Sequence, residues 1–380
     1  MIYLDNAATS GIKPSSVINA VGYALKNLSS NPGRGGHSGS VEAATKVFSV
    51  REKLCKFFNC ESENSVCFTA NCTASVNTVL YGCLNPGDHI IISSLEHNAV
   101  LRPLVYMAQN RGISYDVVDV NVREPEKCVA EFEKKIKYNT KMIFTTHASN
   151  VTGTVLPIKQ IGELCRNKKL LFGVDAAQSV GHLKIDMKDM YIDYLCVAPH
   201  KGLYAPMGVG VLIADKPINN VLIKGGTGVN SLSYEQPDSL PERIESGTIN
   251  VPGICGIGAG VDYCENLIKK KAFTAEKKLL YILYEELRKM DAELFTEEPL
   301  NERYVSVLSF NIQGHSSEEV AQYLSRNNVA VRGGLHCAPL AHKTIGTLDR
   351  GTVRVSTSVF NNVNEIEKVV FLLKKFKNSY

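Results

Sequence analysis

Short apolar runs rich in β-branched residues punctuate the first two-thirds of the chain, and the stretches between them carry apolar positions at helical spacing. The runs predict strands at 65–69, 89–93, 114–120, 141–145, 170–174, 194–198 and 208–213, with helices such as 74–82 and 158–167 between them. Alternation of this kind predicts an α/β fold, a mostly parallel seven-stranded sheet covered by helices on both faces. In such sheets ligands bind outside the carboxyl ends of the strands. From Gly256 the pattern changes to a helical stretch, rich in Lys, Glu and Leu, that runs to about Lys289. Apolar runs at 304–312, 329–332 and 352–356 follow, with helices predicted from Ser316 and Asn364. The reading is a large domain over 16–255 and a small α+β domain over 256–380, with residues 1–15 packing on the small one. Residues 225–241 form the one long turn-rich stretch, and long loops in compact domains tend to be functional.

Composition narrows the classes. The 380 residues are 44% hydrophobic and 21% charged, with a net charge of +4 and no basic block interleaved with aromatics, which argues against a nucleic-acid partner. The apolar runs fall short of the roughly 20 residues a membrane span needs. The first residues lack the basic, apolar and small-residue regions of a signal peptide. Eleven cysteines contain no C-x-x-C pair, which fits neither a disulfide framework nor a zinc site. Free thiols in this number imply a reducing compartment, and the expectation is a cytoplasmic protein without a metal. No P-loop signature is present, and the glycines between Gly253 and Gly260 follow no strand, so they read as helix packing.

Chemistry gathers at strand ends. Val174-Asp175-Ala176-Ala177-Gln178 closes one strand, and Ala198-Pro199-His200-Lys201-Gly202 closes the next. Alone, Asp175 serves equally as a helix cap, a metal ligand or a partner for a cationic ring, and Lys201 as a solvated charge. Together they supply what pyridoxal 5′-phosphate requires: an amine for its aldehyde and a carboxylate for its pyridine nitrogen.

At this point the chain resembles a known family. Asp5-Asn6-Ala7-Ala8, His147-Ala148-Ser149-Asn150, Val174–Gln178, His200-Lys201 and Glu245-Ser246-Gly247-Thr248 occur in the order found in the class V aminotransferase superfamily, fold type I pyridoxal phosphate enzymes. Within it, Arg332-Gly333-Gly334-Leu335-His336-Cys337-Ala338 is similar to the cysteine loop of group II cysteine desulfurases and selenocysteine lyases. The resemblance implies that Lys201 holds the cofactor as a Schiff base and Asp175 pairs with its ring nitrogen. Gln178 and Asn150 would sit near the ring hydroxyl, and His97 would stack on the ring. Thr73 and the backbone of Asn71-Cys72-Thr73 would hold the phosphate at a helix start, where free N–H groups favour an anion. His200 would add a hydrogen bond, and Thr248 would reach the phosphate of a neighbouring subunit, implying a homodimer. Two departures stand out: Ala198 replaces a frequent hydroxyl residue, and Cys72 replaces one of two phosphate-binding threonines. The stretch from Lys201 to Thr248 is also shorter than in some group II members.

The same resemblance assigns Arg354 to the substrate carboxylate, with Asn150 close to the substrate. Arg332 would hold the cysteine loop or a second anionic group, and His37, in a glycine-rich segment, would line the entrance. Among eleven cysteines a lone one means little. Cys337 is singled out by its loop between predicted strands, by flexibility expected of that loop, and by His336 and Arg332, since positive neighbours favour the thiolate. The expected reaction converts L-cysteine to L-alanine, with the sulfur kept as a persulfide on Cys337 and passed to a thiol or a sulfur-acceptor protein. The alternatives are a selenocysteine lyase acting on L-selenocysteine, another class V lyase or aminotransferase, and a non-catalytic pyridoxal-fold binding module, against which intact Lys201, Asp175, Asn150 and Arg354 argue.

Overall fold

A computed structural model describes residues 1–33, 35–270 and 272–379. Its strands are β1 (Ile2–Tyr3), β2 (Val66–Thr69), β3 (His89–Ser93), β4 (Ser114–Val118), β5 (Thr140–Thr146), β6 (Leu171–Asp175), β7 (Tyr194–Val197), β8 (Gly210–Ala214), β9 (Glu293–Leu294), β10 (Val307–Asn311), β11 (Val329–Ala330) and β12 (Val353–Ser356). Seven of them form one sheet in the order β2-β8-β7-β6-β5-β3-β4. Every apolar run predicted before residue 214 is a strand of this sheet. Its central strands are buried almost throughout, Lys141 near the start of β5 being exposed, which is why they read as continuous apolar runs and not as alternating ones. Only β8 opposes its neighbours, pairing antiparallel with β2 and β7. The ends of β2, β3, β5, β6 and β7 therefore emerge at one edge.

The second half is organised around two smaller sheets. Antiparallel β12-β10-β9 forms one, and β1 pairs in parallel with β11 to form the other. Leu4 joins Leu280, Leu283, Phe310, Val355 and Leu373 in a core separate from that of the large sheet. The helical stretch after residue 250 is two helices, Val251–Lys269 and Ala272–Lys289. A boundary at residue 256 falls inside the first of them. Buried side chains of that helix, from Val251 to Leu267, pack into the core of the large sheet, so the change of company comes after it. Ser316 opens the helix Ser317–Arg326 with a reciprocal capping box to Glu319. Between β8 and Val251 the chain forms no helix or strand, and residues 222–235 are almost all exposed.

One glycine matters for the site. A Cβ on Gly202 would lie 1.8 Å from the Val180 carbonyl oxygen, so only glycine lets the chain after Lys201 run this close to the turn that follows β6.

Candidate active site

A cavity of about 220 Å³ opens at the edge where those strand ends emerge. Asp175 reaches it from the last residue of β6, and Lys201 from the turn after β7. Asn150 reaches it from the turn after β5, His97 from beyond β3, and Cys72 and Thr73 from beyond β2. Gln178, His200, Arg332, Cys337 and Arg354 complete the predicted set within its walls. Two predicted residues stay outside. Thr248 is exposed and touches Asn31 at 3.4 Å, while His37 caps the helix Ser38–Phe58 by accepting the Ser40 N–H on Nδ1. Within one chain His37 is thus a helix cap and is not among the residues that wall the cavity; Arg34 of its segment lies outside the described residues.

The Lys201 amine has no hydrogen bond or ion pair among the described residues. Burial lowers its pKa below the usual lysine value, with the Asp175 charge opposing that shift. Asp175 itself is buried; its Oδ1 accepts the Ala177 N–H at 2.9 Å and faces the Cys72 thiol at 3.6 Å. Its second oxygen has no partner among the described residues. The Ala177 contact is the helix-cap geometry considered from sequence, and it coexists with an oxygen left for the cavity.

Asn71 caps the helix Cys72–Cys83 by accepting the Ala74 N–H at 2.9 Å, which leaves the first-turn N–H groups of that helix at the cavity wall. That is an anion-binding arrangement. Burial and the Asp175 charge together push the Cys72 thiol well above its ordinary pKa, so it stays protonated. His97 caps the helix Asn98–Asn110, its Nδ1 accepting the Ala99 N–H at 3.0 Å, and burial lowers its pKa. Helix cap and cavity wall are one residue here.

Gln178 donates its amide to the Ala7 carbonyl at 2.9 Å. Asn150 donates its amide to the His336 carbonyl at 2.7 Å and accepts from Arg354 on its own carbonyl at 3.0 Å. Arg354, almost fully buried on β12, pairs with Asp5 at 2.8 Å, and its Nε has no hydrogen-bond partner among the described residues. Arg332 is exposed and hydrogen-bonds Arg354 through backbone alone, 3.3 and 2.8 Å in the two directions. Its guanidinium makes no hydrogen bond or ion pair among the described residues.

Cys337 is the one exposed cysteine among the described residues. His336 and Cys337 are both left-handed, with φ of 49° and 58°, a conformation costly for side chains other than glycine. The loop runs from the β11 side into the short helix Pro339–Thr344, not between two strands. Nor is it loose. Asn98 N–H bonds the Cys337 carbonyl at 2.7 Å, Asn150 holds the carbonyl before it, and Ala338 N–H closes onto Leu335 at 2.9 Å. His336 does not supply the positive charge expected from sequence. It is buried, with Nε2 on the Thr352 carbonyl at 3.0 Å, and burial pushes its pKa down to about 2, so it is neutral. The positive neighbours that remain are Arg332 and Arg354.

Three residues the sequence reading gave no role help to hold these groups. Asp5 fixes Arg354, and its signal was the Asp5-Asn6-Ala7-Ala8 motif. Arg51 binds Glu245 at 2.8 and 2.6 Å, and Glu245 also accepts the Phe68 N–H, anchoring the segment that presents Thr248. The signal for Arg51 is absent locally, because its partner lies nearly two hundred positions away.

The class-V aminotransferase model matches residues 2–369. A probable cysteine desulfurase of Pyrococcus abyssi is 33% identical, across 100% of this chain and 95% of the relative. Another, from Methanothermobacter thermautotrophicus, is 31% identical, across 96% and 92%. Among solved structures, an apo cysteine desulfurase from Thermococcus onnurineus matches with TM-score 0.90 and 29% identity, covering 100% of this chain and 95% of that one. The cysteine desulfurase CsdA of Escherichia coli matches with TM-score 0.87 and 25% identity, covering 98% and 94%. With strand ends, lysine, aspartate and cysteine loop arranged as described, the chain belongs to the class-V aminotransferase family.

Proposed function

We propose that this protein is a pyridoxal-phosphate-dependent cysteine desulfurase that releases L-alanine from L-cysteine and keeps the sulfur on Cys337. The observation that carries the reading is one cavity walled by an unpartnered Lys201 amine, the Asp175 carboxylate, an open helix amino terminus and the exposed Cys337 thiol. These groups fit the cofactor. The amine suits its aldehyde, the unpartnered Asp175 oxygen its ring nitrogen, and the Cys72–Cys83 helix start with Thr73 and His200 its phosphate. His97 would cover the ring face, and Gln178 and Asn150 would line its hydroxyl side. When bound, the cofactor supplies an electron sink for the substrate α-carbon.

The residues of this chain then do the following work. Arg354 receives the substrate carboxylate through the Nε edge that the protein leaves open, while Asp5 and the Asn150 carbonyl fix its other nitrogens. Arg332 offers a second guanidinium to the same anion. Lys201 Nζ, with its lowered pKa, takes the α-proton and returns a proton to the product. Cys337 Sγ, as thiolate, attacks the substrate sulfur. A sulfur–sulfur bond forms as the carbon–sulfur bond breaks, and that bonding pair stays with the three-carbon fragment, which leaves as L-alanine after protonation. An acceptor thiol, free or on a protein, then takes the sulfur. Exposure of Thr248 outside its own chain's cavity supports a homodimer in which it reaches the partner's phosphate site. Among the described residues no helix is long and apolar enough to cross a membrane. Eleven cysteines, none of the described ones disulfide-bonded, support a reducing compartment, the cytoplasm.

The test is direct. Purified protein with pyridoxal phosphate should show the visible absorbance of a lysine-bound cofactor, and borohydride should fix the adduct to Lys201. With excess dithiothreitol to reduce the persulfide, alanine and sulfide should form from L-cysteine in equal amounts. Alanine and selenide from L-selenocysteine, with none from L-cysteine, would turn the assignment to a selenocysteine lyase.

A further inference from the structure

The turn that presents Lys201 is gripped by the amino-terminal segment, nearly two hundred residues away. One backbone oxygen, that of His200, receives Ser10 N–H at 3.2 Å, Ser10 Oγ at 2.9 Å, Lys13 Nζ at 3.0 Å and Thr9 Oγ1 at 3.2 Å. Lys13 Nζ also donates to Ser10 Oγ at 2.6 Å, so the serine proton is directed onward to the carbonyl. A carbonyl oxygen has two lone pairs, and this one is fully subscribed without the threonine. Thr9 Oγ1 lies closer to His200 Nδ1, at 3.0 Å. Either the threonine proton goes to the ring, or Nδ1–H donates to Oγ1 and the threonine proton goes to the carbonyl; the crowding of that carbonyl favours the first.

That choice sets a tautomer. With Nδ1 accepting, the neutral imidazole carries its proton on Nε2. Burial, with Lys201 and Lys13 adding to it, pushes the His200 pKa down to about 4, so the ring is neutral at neutral pH. Nε2 has no partner among the described residues, and His200 walls the cavity. We propose that Thr9, Ser10 and Lys13 are positioning residues that fix both the backbone of the Lys201 turn and the Nε2–H form of His200, so that the imidazole donates to the phosphate of the bound cofactor. Lys13 stands directly before Pro14, whose fixed φ of −57° starts the helix Ser15–Asn27 and holds the lysine back over the turn. The proposal rests on the cofactor assignment above, but its first readout does not.

The variants are Thr9→Val, Thr9→Ser, Lys13→Met and Lys13→Arg in the full-length protein, each checked for an unchanged thermal transition. Nitrogen-15 NMR of the histidine rings, assigned with His200→Gln, reads the tautomer with and without pyridoxal phosphate. The wild type and Thr9→Ser should show the Nε2–H form, and Thr9→Val should shift toward Nδ1–H. Cofactor dissociation, followed by fluorescence, should be at least tenfold faster in Thr9→Val. In Lys13→Met it should be several-fold faster, with Lys13→Arg close to wild type. The pH midpoint of the cofactor absorbance should rise by about half a unit in Lys13→Met, as removal of a nearby positive charge requires. An Nδ1–H tautomer in the wild type overturns the proposal, as does a Thr9→Val protein with unchanged tautomer and cofactor dissociation within twofold. A wild type in which borohydride fixes no cofactor on Lys201 overturns the cofactor assignment instead, and the NMR of the unliganded protein still decides the clamp.

Discussion

Two cysteines wall the same cavity, and almost everything else about them differs. Cys72 begins a helix, a position that ordinarily lowers a thiol pKa. Here burial and the Asp175 carboxylate 3.6 Å away outweigh the helix terminus and hold the thiol protonated. Cys337 lines the same cavity exposed, on two successive left-handed residues, with Arg332 and Arg354 as neighbours. Reactivity in this site follows from backbone and charge, and residue type contributes little. One corner is built to keep a proton, the other to offer a sulfur.

The strongest attempt to break that contrast exchanges each thiol for a methyl group. Cys337→Ala should lower sulfide release from L-cysteine at least a hundredfold while the visible absorbance of the bound cofactor persists. Cys72→Ala should retain activity within about threefold. Equal losses in the two variants would erase the distinction. Alkylation of the wild type with iodoacetamide at neutral pH, followed by peptide mass mapping, should label Cys337 first and leave Cys72 unlabelled until unfolding.

A second experiment sharpens the Cys337 side. Arg354 is buried and its charge is answered by Asp5 alone among the carboxylates, so Asp5→Asn leaves it free to turn away from the substrate site. Removing one partner of a buried pair costs about 3–5 kcal/mol, part of which appears as lost positioning. KM for L-cysteine should rise about tenfold, with kcat changed less. A rise in neither parameter would mean that Asp5 serves the fold and not the site.

How far these differences were visible beforehand depends on the range of the interaction. The seven strands of the large sheet were legible because buried strands of a parallel sheet are continuous apolar runs, and their edges moved by only a residue or two. Asp175 and Lys201 were legible as a pair because both follow such runs directly. The antiparallel sense of β8 was not, since pairing direction leaves no trace in a short apolar run. His336 misled for a related reason: beside Cys337 in sequence it reads as a positive neighbour, yet burial under Thr352 makes it neutral. The expected division at residue 256 falls inside the helix Val251–Lys269, whose apolar residues do not reveal from sequence which core they serve. Asp5, Arg51 and Lys13 act on partners far along the chain, and local pattern is silent about them.

The two corners also answer pH in opposite directions. Near the Cys72 corner, Glu96 is buried after β3, accepts the Thr146 N–H at 2.9 Å, and is pushed up to about 8 by burial. Its folded pKa exceeds its unfolded one, so its contribution is complete below about 4.5 and is lost as pH rises through 8. Near Cys337, His336 and His342 are buried and neutral, pushed down to about 2 and about 4. Their contribution is complete above about 6.5 and is lost as pH falls toward those values. Urea unfolding of the wild type should therefore lose stability on both sides of a maximum near pH 6. Glu96→Gln should remove about 2 kcal/mol of the loss between pH 6 and 8, steepen the acid side between about pH 4.5 and 6, and leave the slope below about 4.5 unchanged. An identical alkaline slope in the variant would show that Glu96 is already ionised in the fold.

The smallest expected effect concerns what Cys72 gave up. The superfamily motif places a second hydroxyl where this chain has a thiol, and a thiol is a weak donor. A hydroxyl at that helix start would sit within reach of any anion the free N–H groups attract, but it would share the space with Asp175 Oδ1, which now faces the sulfur. Cys72→Thr should therefore tighten pyridoxal phosphate binding only about threefold to tenfold, the worth of one net hydrogen bond of about 1 kcal/mol. Turnover should stay nearly constant, because the reacting sulfur belongs to Cys337. If instead Cys72→Thr weakened cofactor binding, the thiol would be the better neighbour for Asp175, and protonation at position 72 would be part of how this corner holds its charge in place.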